Sequence, residues 1–329
     1  MKIKDKLLIF LTILTLIIPI PTFAYSNKVI LGGENLGIEI ESQGIIIVGF
    51  YQVNNKNINL TNNIRLGDKI TKINDIKINN IDEMVKEIDN NLKDNKEVKL
   101  TLIRNNKEIK TTLQIEKDSS GVYKTGLYVK DKITGIGTLT YIDPNTKIYG
   151  ALGHEIIEGY SNTKVDIKNG KIFYSEITGI TKSTSKKTGE KEATLNNKEI
   201  YGNIKENTIN GIYGTYTTNI EDKETIEIAT NEEITPGKAY IYTVINKTKK
   251  EKFEINIITI DKNSKTKNIL FEITDKKLLN ETNGVIKGMS GSPIVQNNKL
   301  IGAVTHAIQK KNNMGYGIFI TTMLEEGDS

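Results

Sequence analysis

Gly288-Met289-Ser290-Gly291-Ser292-Pro293-Ile294-Val295 sets a serine between glycines at the mouth of an apolar run. Gly288 permits unusual dihedrals, Gly291 keeps the approach to the serine open, and a tight turn here can aim backbone N–H groups at a developing oxyanion. Asn297-Asn298 then turns a hairpin into Leu300 to Thr305, with Gly302 leaving space in the returning strand for a substrate. Upstream, from Gly121 on, helical patterns nearly vanish. Leu127 to Lys130, Gly137 to Ile142, Lys147 to Leu152, Ile172 to Ile180, Tyr240 to Ile245, Phe253 to Ile260 and Ile269 to Thr274 read as short strands. Clusters such as Asp143-Pro144-Asn145-Thr146 separate them, and the pattern predicts an all-β sandwich or barrel. Ser183 to Glu192, polar and Lys-rich, reads as an exposed loop.

A serine hydroxyl needs a base to take its proton. Gly150-Ala151-Leu152-Gly153-His154-Glu155-Ile156 supplies one, a histidine following a strand and small residues that leave room for the imidazole. The chain has only two histidines, His154 and His306, and no cysteine. That excludes disulfides, thiolate zinc, iron–sulfur ligation and a cysteine nucleophile, and leaves almost nothing for a multi-histidine metal site. His154-Glu155-Ile156-Ile157-Glu158 lacks the second histidine of a zinc-protease helix, so no metal or organic cofactor is expected. Base first and nucleophile last is one of the known chain orders of serine triads. The remaining composition is that of a globular chain of two domains: 329 residues, 37% apolar and 26% charged. The formal charge of +5 is interspersed and forms no nucleic-acid arm.

Toward the N-terminus, Lys2, Lys4 and Lys6 precede an apolar run from Leu7 to Ile20 and the small-residue site Thr22-Phe23-Ala24. Residues 1–24 therefore read as a signal peptide or membrane anchor. From Lys28 to about Asp118, short strands surround one helix, opened by Asn80-Ile81-Asp82-Glu83 and carrying Ile81, Met84, Val85, Ile88 and Leu92 on one face. Val98 to Arg104 and Glu108 to Ile115 pair across Asn105-Asn106. With Arg65-Leu66-Gly67-Asp68-Lys69-Ile70, this run resembles a PDZ domain. Leu36, Gly37 and Ile38 then stand in the position of the carboxylate-binding loop, which would take a peptide terminus by β-augmentation.

Tyr149 to His154, Ile273-Thr274-Asp275-Lys276-Lys277-Leu278-Leu279 and Gly288 through His306 resemble the stage IV sporulation protein B peptidases, and the likeness spans nearly the whole chain. The resemblance implies a mainly β protein: a PDZ domain followed, over residues 121–329, by a chymotrypsin-like double β-barrel peptidase domain. It implies His154 as general base, Asp275 as its orienting acid and Ser290 as nucleophile. Comparison with the Gly-Asp-Ser-Gly-Gly-Pro loop of trypsin-like enzymes selects Ser290 over Ser292 and makes the N–H groups of Gly288 and Ser290 the oxyanion donors. The implied setting is the space between mother cell and forespore. There such an enzyme cuts a membrane-bound regulator, and so releases an intramembrane metalloprotease that activates a late sigma factor; self-processing is a further implication. On chemistry alone Asp166, Asp222 and Asp261 remain alternatives to Asp275, which precedes Ser290 by fifteen residues, and His306 remains an alternative base. The rival from another class is a silent PDZ scaffold that binds peptide termini.

Overall fold

The computed structural model describes residues 25–60, 62–91 and 96–328. The expected export segment over residues 1–24, and Leu92, lie outside the described residues. Among the described residues no helix is long and apolar enough to cross a membrane.

Strand β1 (Lys28–Leu31) leads into β2 (Asn35–Phe50), whose Leu36, Ile38 and Ile40 point one way and are buried. Beyond Gly44, β2 continues into the wholly buried Ile45-Ile46-Ile47. There it meets β3 (Lys69–Ile73), with Ile45 opposite Ile70. Helix α1 (Ile81–Asn91) starts at a reciprocal cap: Asn80 Oδ1 accepts the Glu83 N–H at 2.8 Å, and the Glu83 carboxylate reaches back to the Asn79 N–H at 2.8 Å. Met84 and Ile88 enter the core, whereas Val85 is 51% exposed, at the margin of the predicted face. Strands β4 (Glu97–Arg104) and β5 (Lys107–Gln114) close the hairpin at Asn105 and Asn106, whose φ values of 48° and 60° suit a tight two-residue turn. Ile45, Ile70, Met84, Ile88, Leu100 and Leu113 make this first core.

The strands of four or more residues that follow are β6 (Leu127–Ile142), β7 (Ile148–Ala151), β8 (Ile167–Thr181), β9 (Glu190–Asn203), β10 (Gly211–Thr215) and β11 (Thr225–Ile228). They are followed by β12 (Gly237–Val244), β13 (Lys250–Ile260), β14 (Ile269–Ile273), helix α2 (Lys276–Thr282), β15 (Pro293–Gln296), β16 (Lys299–Ala307), β17 (Met314–Phe319) and helix α3 (Ile320–Gly327). Two apolar cores organise them. Ile38, Ile40, Leu139, Tyr149, Ile172 and Ile212 fill one barrel, and Ile241, Phe253, Ile255, Phe271, Ile294 and Phe319 fill the other. Met323 and Leu324 of α3 pack with Tyr141, Tyr213, Val295 and Leu300 where the two meet. The molecule is mainly β, with an N-terminal PDZ-like region and a β-barrel core of the chymotrypsin-like kind.

Three expectations need correction. The segment from Lys28 to Glu41 is part of the barrel: β1 pairs with β11 and β6, and the first half of β2 lies between β6 and β8. Ser183 to Glu192 is not simply an exposed loop, because Ser183 and Lys191 are buried and β9 begins inside it. Gly302 leaves no room for substrate, since a Cβ there would lie 2.2 Å from the Ile318 carbonyl oxygen. The glycine serves a close strand-to-strand approach.

Candidate active site

His154 comes from the first barrel. After β7, Leu152 and Gly153 both adopt φ of 69°, a left-handed turn that is strained for leucine and costs on the order of 1 kcal/mol. Buried Leu152 holds the turn in place, and His154 follows it. His154 Nδ1 lies 2.8 Å from the Glu155 carbonyl oxygen. A carbonyl only accepts, so Nδ1 carries the hydrogen of the neutral ring and Nε2 keeps its lone pair. Burial lowers the pKa of His154 below the ordinary 6.5, against an upward pull from the Glu155 carbonyl and carboxylate. The ring of His306 stands 5.2 Å from that of His154, centroid to centroid, and its pKa is pushed down to about 4 by burial, then by His154 and Lys267.

Ser290 comes from the second barrel, on the loop between α2 and β15. The loop's N–H groups divide into two sets. Those of Met289, Gly291 and Ser292 donate to Ile286, Val304 and Met289 carbonyls at 3.1, 2.7 and 2.9 Å. Those of Gly288 and Ser290 have no hydrogen-bond acceptor among the described residues. The carbonyls are turned the other way, onto β6. Thr138 Oγ1 donates to Gly288 O at 2.8 Å, the Thr138 N–H to Ser290 O at 2.9 Å, and Thr140 Oγ1 to Gly291 O at 2.8 Å. Gly291, at φ 90°, is the point of closest approach to the histidine turn: a Cβ there would sit 2.0 Å from Thr138 O and 2.5 Å from Leu152 N. Only glycine lets the two loops meet.

His154, Gly288 and Ser290 line one cleft of about 370 Å³, walled by the apolar Ile38, Ile136, Leu152 and Ile156. The Ser290 hydroxyl currently donates to Thr305 O at 3.0 Å. Ser292 is fully buried, and its Oγ has no hydrogen-bond partner among the described residues. A serine, a histidine and two residues whose N–H groups have no acceptor among the described residues line one cleft, and these are the parts of an acyl-transfer site. Residues 121–324 match the SpoIVB peptidase S55 family. The chain belongs to that family. Residues 35–115 match a PDZ domain, and no curated protein matches the chain. As a SpoIVB-type peptidase it is a sporulation-associated serine endopeptidase whose substrates are proteins.

Asp275 and the segment Leu36-Gly37-Ile38 both have structural partners of their own. Asp275 is the N-cap of α2, its Oδ1 accepting the Leu278 N–H at 2.9 Å and its Oδ2 reaching the Glu254 N–H only at 3.5 Å. Among the described residues no hydrogen bond joins it to His154, and it is not among the groups that shift the His154 pKa. The alternatives fare no better: Asp166 pairs with Lys69, Asp261 Oδ1 accepts the Asn263 N–H at 2.9 Å, and Asp222 has no bond to His154 among the described residues. The partner of His154 Nδ1 in this structure is the Glu155 carbonyl.

Leu36, Gly37 and Ile38 do not form an open carboxylate-binding loop. They face Gly137, Ile136 and Gly135 of β6 on one edge and Tyr174, Phe173 and Ile172 of β8 on the other. Both edges of the strand are thus occupied, and the Phe173 ring covers Gly37. Ile38 instead walls the cleft that His154 and Ser290 line. Sequence reasoning missed Thr138 and Thr140; their one signal is the alternation Gly137-Thr138-Leu139-Thr140, which puts both hydroxyls on one buried face. Among the described residues no group of three or more His, Cys, Asp or Glu side chains is placed to hold a metal ion.

Proposed function

We propose that this S55 peptidase cleaves peptide bonds through an acyl-enzyme at Ser290, with His154 as the proton carrier and the N–H groups of Gly288 and Ser290 as the oxyanion hole. The Ser290 hydroxyl swings from Thr305 O to His154 Nε2, and Oγ attacks the scissile carbonyl carbon as the proton passes to the ring. The carbonyl π electrons move onto oxygen, where the two N–H groups receive the charge. His154 then delivers its proton to the amine nitrogen as the C–N bond breaks, leaving an ester on Ser290. Water repeats the sequence with His154 as base and frees the acid. Throughout, the Glu155 carbonyl steadies the Nδ1–H of the imidazolium. The observation that carries this reading is the pair of acceptor-free N–H groups on either side of Met289, in the cleft that also holds His154.

The apolar walls of that cleft suit a substrate with an apolar side chain beside the scissile bond. The substrate is a membrane-bound regulatory protein met in the space between mother cell and forespore. Its cleavage releases an intramembrane metalloprotease and, through it, a late sigma factor; the enzyme also processes its own chain, next to the export segment. A fluorophosphonate probe tests the chemistry directly. It should label the wild-type protein at Ser290, as mapped on the modified peptide, and leave Ser290→Ala unlabelled. An unlabelled wild-type protein under conditions where it binds peptides would favour the silent scaffold instead.

A further inference from the structure

Lys191 is buried to 3% exposure beneath the nucleophile loop. Its backbone N–H donates to Lys287 O at 3.0 Å, and the Lys287 N–H donates to Gly189 O at 2.8 Å, which stitches the start of β9 to the residue before Gly288. Its methylenes lie against Gly288, where a Cβ would come within 3.0 Å of Lys191 Cδ. Nζ donates to Thr243 Oγ1 at 2.9 Å and reaches Thr138 Oγ1 at 3.4 Å, the long end of hydrogen-bond range. No carboxylate pairs with it among the described residues. A buried ammonium without a counter-ion is costly, and a methionine would fill the same space at no such cost.

We propose that Lys191 is a positioning residue of the catalytic machinery, fixing the Gly288–Met289 peptide through the Thr138 hydroxyl. An ammonium donates and cannot accept. With Lys191 on its lone pair, the Thr138 hydroxyl has its single hydrogen left for the Gly288 carbonyl, the 2.8 Å bond already described. That bond holds the carbonyl on β6, and with it the turn at Gly288 that leaves its N–H facing the cleft. Loss of a proton gives the amine a lone pair of its own. It can then accept from Thr138, and the Gly288 carbonyl is released.

Burial alone draws the Lys191 pKa down to about 7, so this exchange falls in the neutral range. The groups facing Nζ are Thr138 from β6 and Thr243 from β12, with Gly288 against the methylenes and Ile180 of β8 paired opposite Lys191; none of them titrates in that range. The inference rests on Ser290 being the nucleophile.

The test uses the full chain, measuring the rate of fluorophosphonate labelling at Ser290 and the kcat and KM for a short peptide across pH 6 to 9. Lys191→Met and Thr138→Val should each lower the labelling rate and kcat by about 10²-fold, the scale of a lost oxyanion donor, while KM changes little. Wild-type kcat should decline above about pH 7, where Lys191 releases its proton, and this alkaline limb should vanish in Lys191→Met. The melting temperature of Lys191→Met should equal or exceed the wild-type value near pH 7, which a merely structural lysine would not allow. Wild-type protein that is not labelled at Ser290 would overturn the nucleophile reading and this inference with it. Normal labelling of wild type together with an unchanged rate and pH profile in Lys191→Met would overturn this inference alone. Should Lys191→Met not fold, Thr138→Val decides: a rate near wild type refutes the clamp, and the expected loss upholds it.

Discussion

Ser290 and Ser292 flank the same glycine, but of the two Ser290 lines the cleft that holds His154, while Ser292 is buried with its Oγ unpaired among the described residues. Ser290→Ala should therefore abolish turnover of a short peptide. Ser292→Ala should retain it and gain ~1 kcal/mol in denaturant unfolding, because it deletes a buried hydroxyl that bonds to nothing. Loss of activity in Ser292→Ala at unchanged stability would count against the assignment. As the proposed base, His154 should set the acid side of the pH profile. Its folded pKa lies below 6.5, so the neutral base is regained at lower pH than an ordinary imidazole would allow, and kcat/KM should rise to its plateau through a midpoint below 6.5. The sign for stability follows from the same shift. The unfolded chain takes up protons at His154 and His306 near pH 6.5, before the folded protein does, so stability should fall as pH drops below about 6.5. A midpoint above 7 in the rate profile would mean that a carboxylate, not a backbone carbonyl, supports the imidazolium.

Helix α2 shows how an element can claim a residue that the chemistry would also accept. Asp275 follows β14 by two residues, caps α2 and holds the Leu278 N–H, and Leu278 is buried in the second barrel. As a cap it contributes ~1 kcal/mol, whereas an acid oriented on a catalytic histidine is worth about 10⁴ in turnover. An Asp275→Asn variant that stays folded and keeps kcat within about tenfold would make the residue a cap alone. A drop of several orders of magnitude in a folded variant would show that the carboxylate reaches His154 once substrate is bound. Strand β6 plays the opposite role. Its Thr138 and Thr140 belong to a barrel wall, yet three of its donors hold the carbonyls of Gly288, Ser290 and Gly291 and leave two N–H groups free.

At the scale of the molecule, β2 and β6 run through both the PDZ-like region and the first barrel. Residues Ile46 to Phe50 pair with Lys130 to Leu127, and Asn35 to Glu41 with Thr138 to Lys132. Deleting Lys28 to Asp118 would strip Leu36, Ile38 and Ile40 from the barrel core, at roughly 1.5–3 kcal/mol each, a loss comparable to the whole stability of a domain. That deletion should yield unfolded protein by circular dichroism. Glu41 and Lys132 face each other across the ladder, so a tight turn joining them would remove the PDZ-like region and leave the barrel intact. The shortened enzyme should hydrolyse a short peptide about as well as the full chain and lose activity on its protein substrate. Equal losses on both would make the PDZ-like region a support for the barrel alone.

Much of the site was legible in the residues because its signals are local. Asparagine pairs at 105–106 and 297–298 take positive φ at little cost and so turn hairpins wherever they occur. The glycines around Ser290 announce a turn whose dihedrals other residues resist, and with only two histidines the base had few places to be. What the tertiary structure alone decided depends on which distant strand arrives. Leu36-Gly37-Ile38 would bind a peptide terminus if its edge were open; β8 and β6 close it. Asp275 suits a cap and a triad equally well in sequence, and the structure shows the cap. Lys191 sits in a polar, Lys-rich stretch that reads as surface, and it is buried because the loop before Ser290 lies across it. Dihedral preference and alternation act over a few residues and can be read from the chain itself, whereas edge pairing and burial exist only once strands far apart in sequence have met.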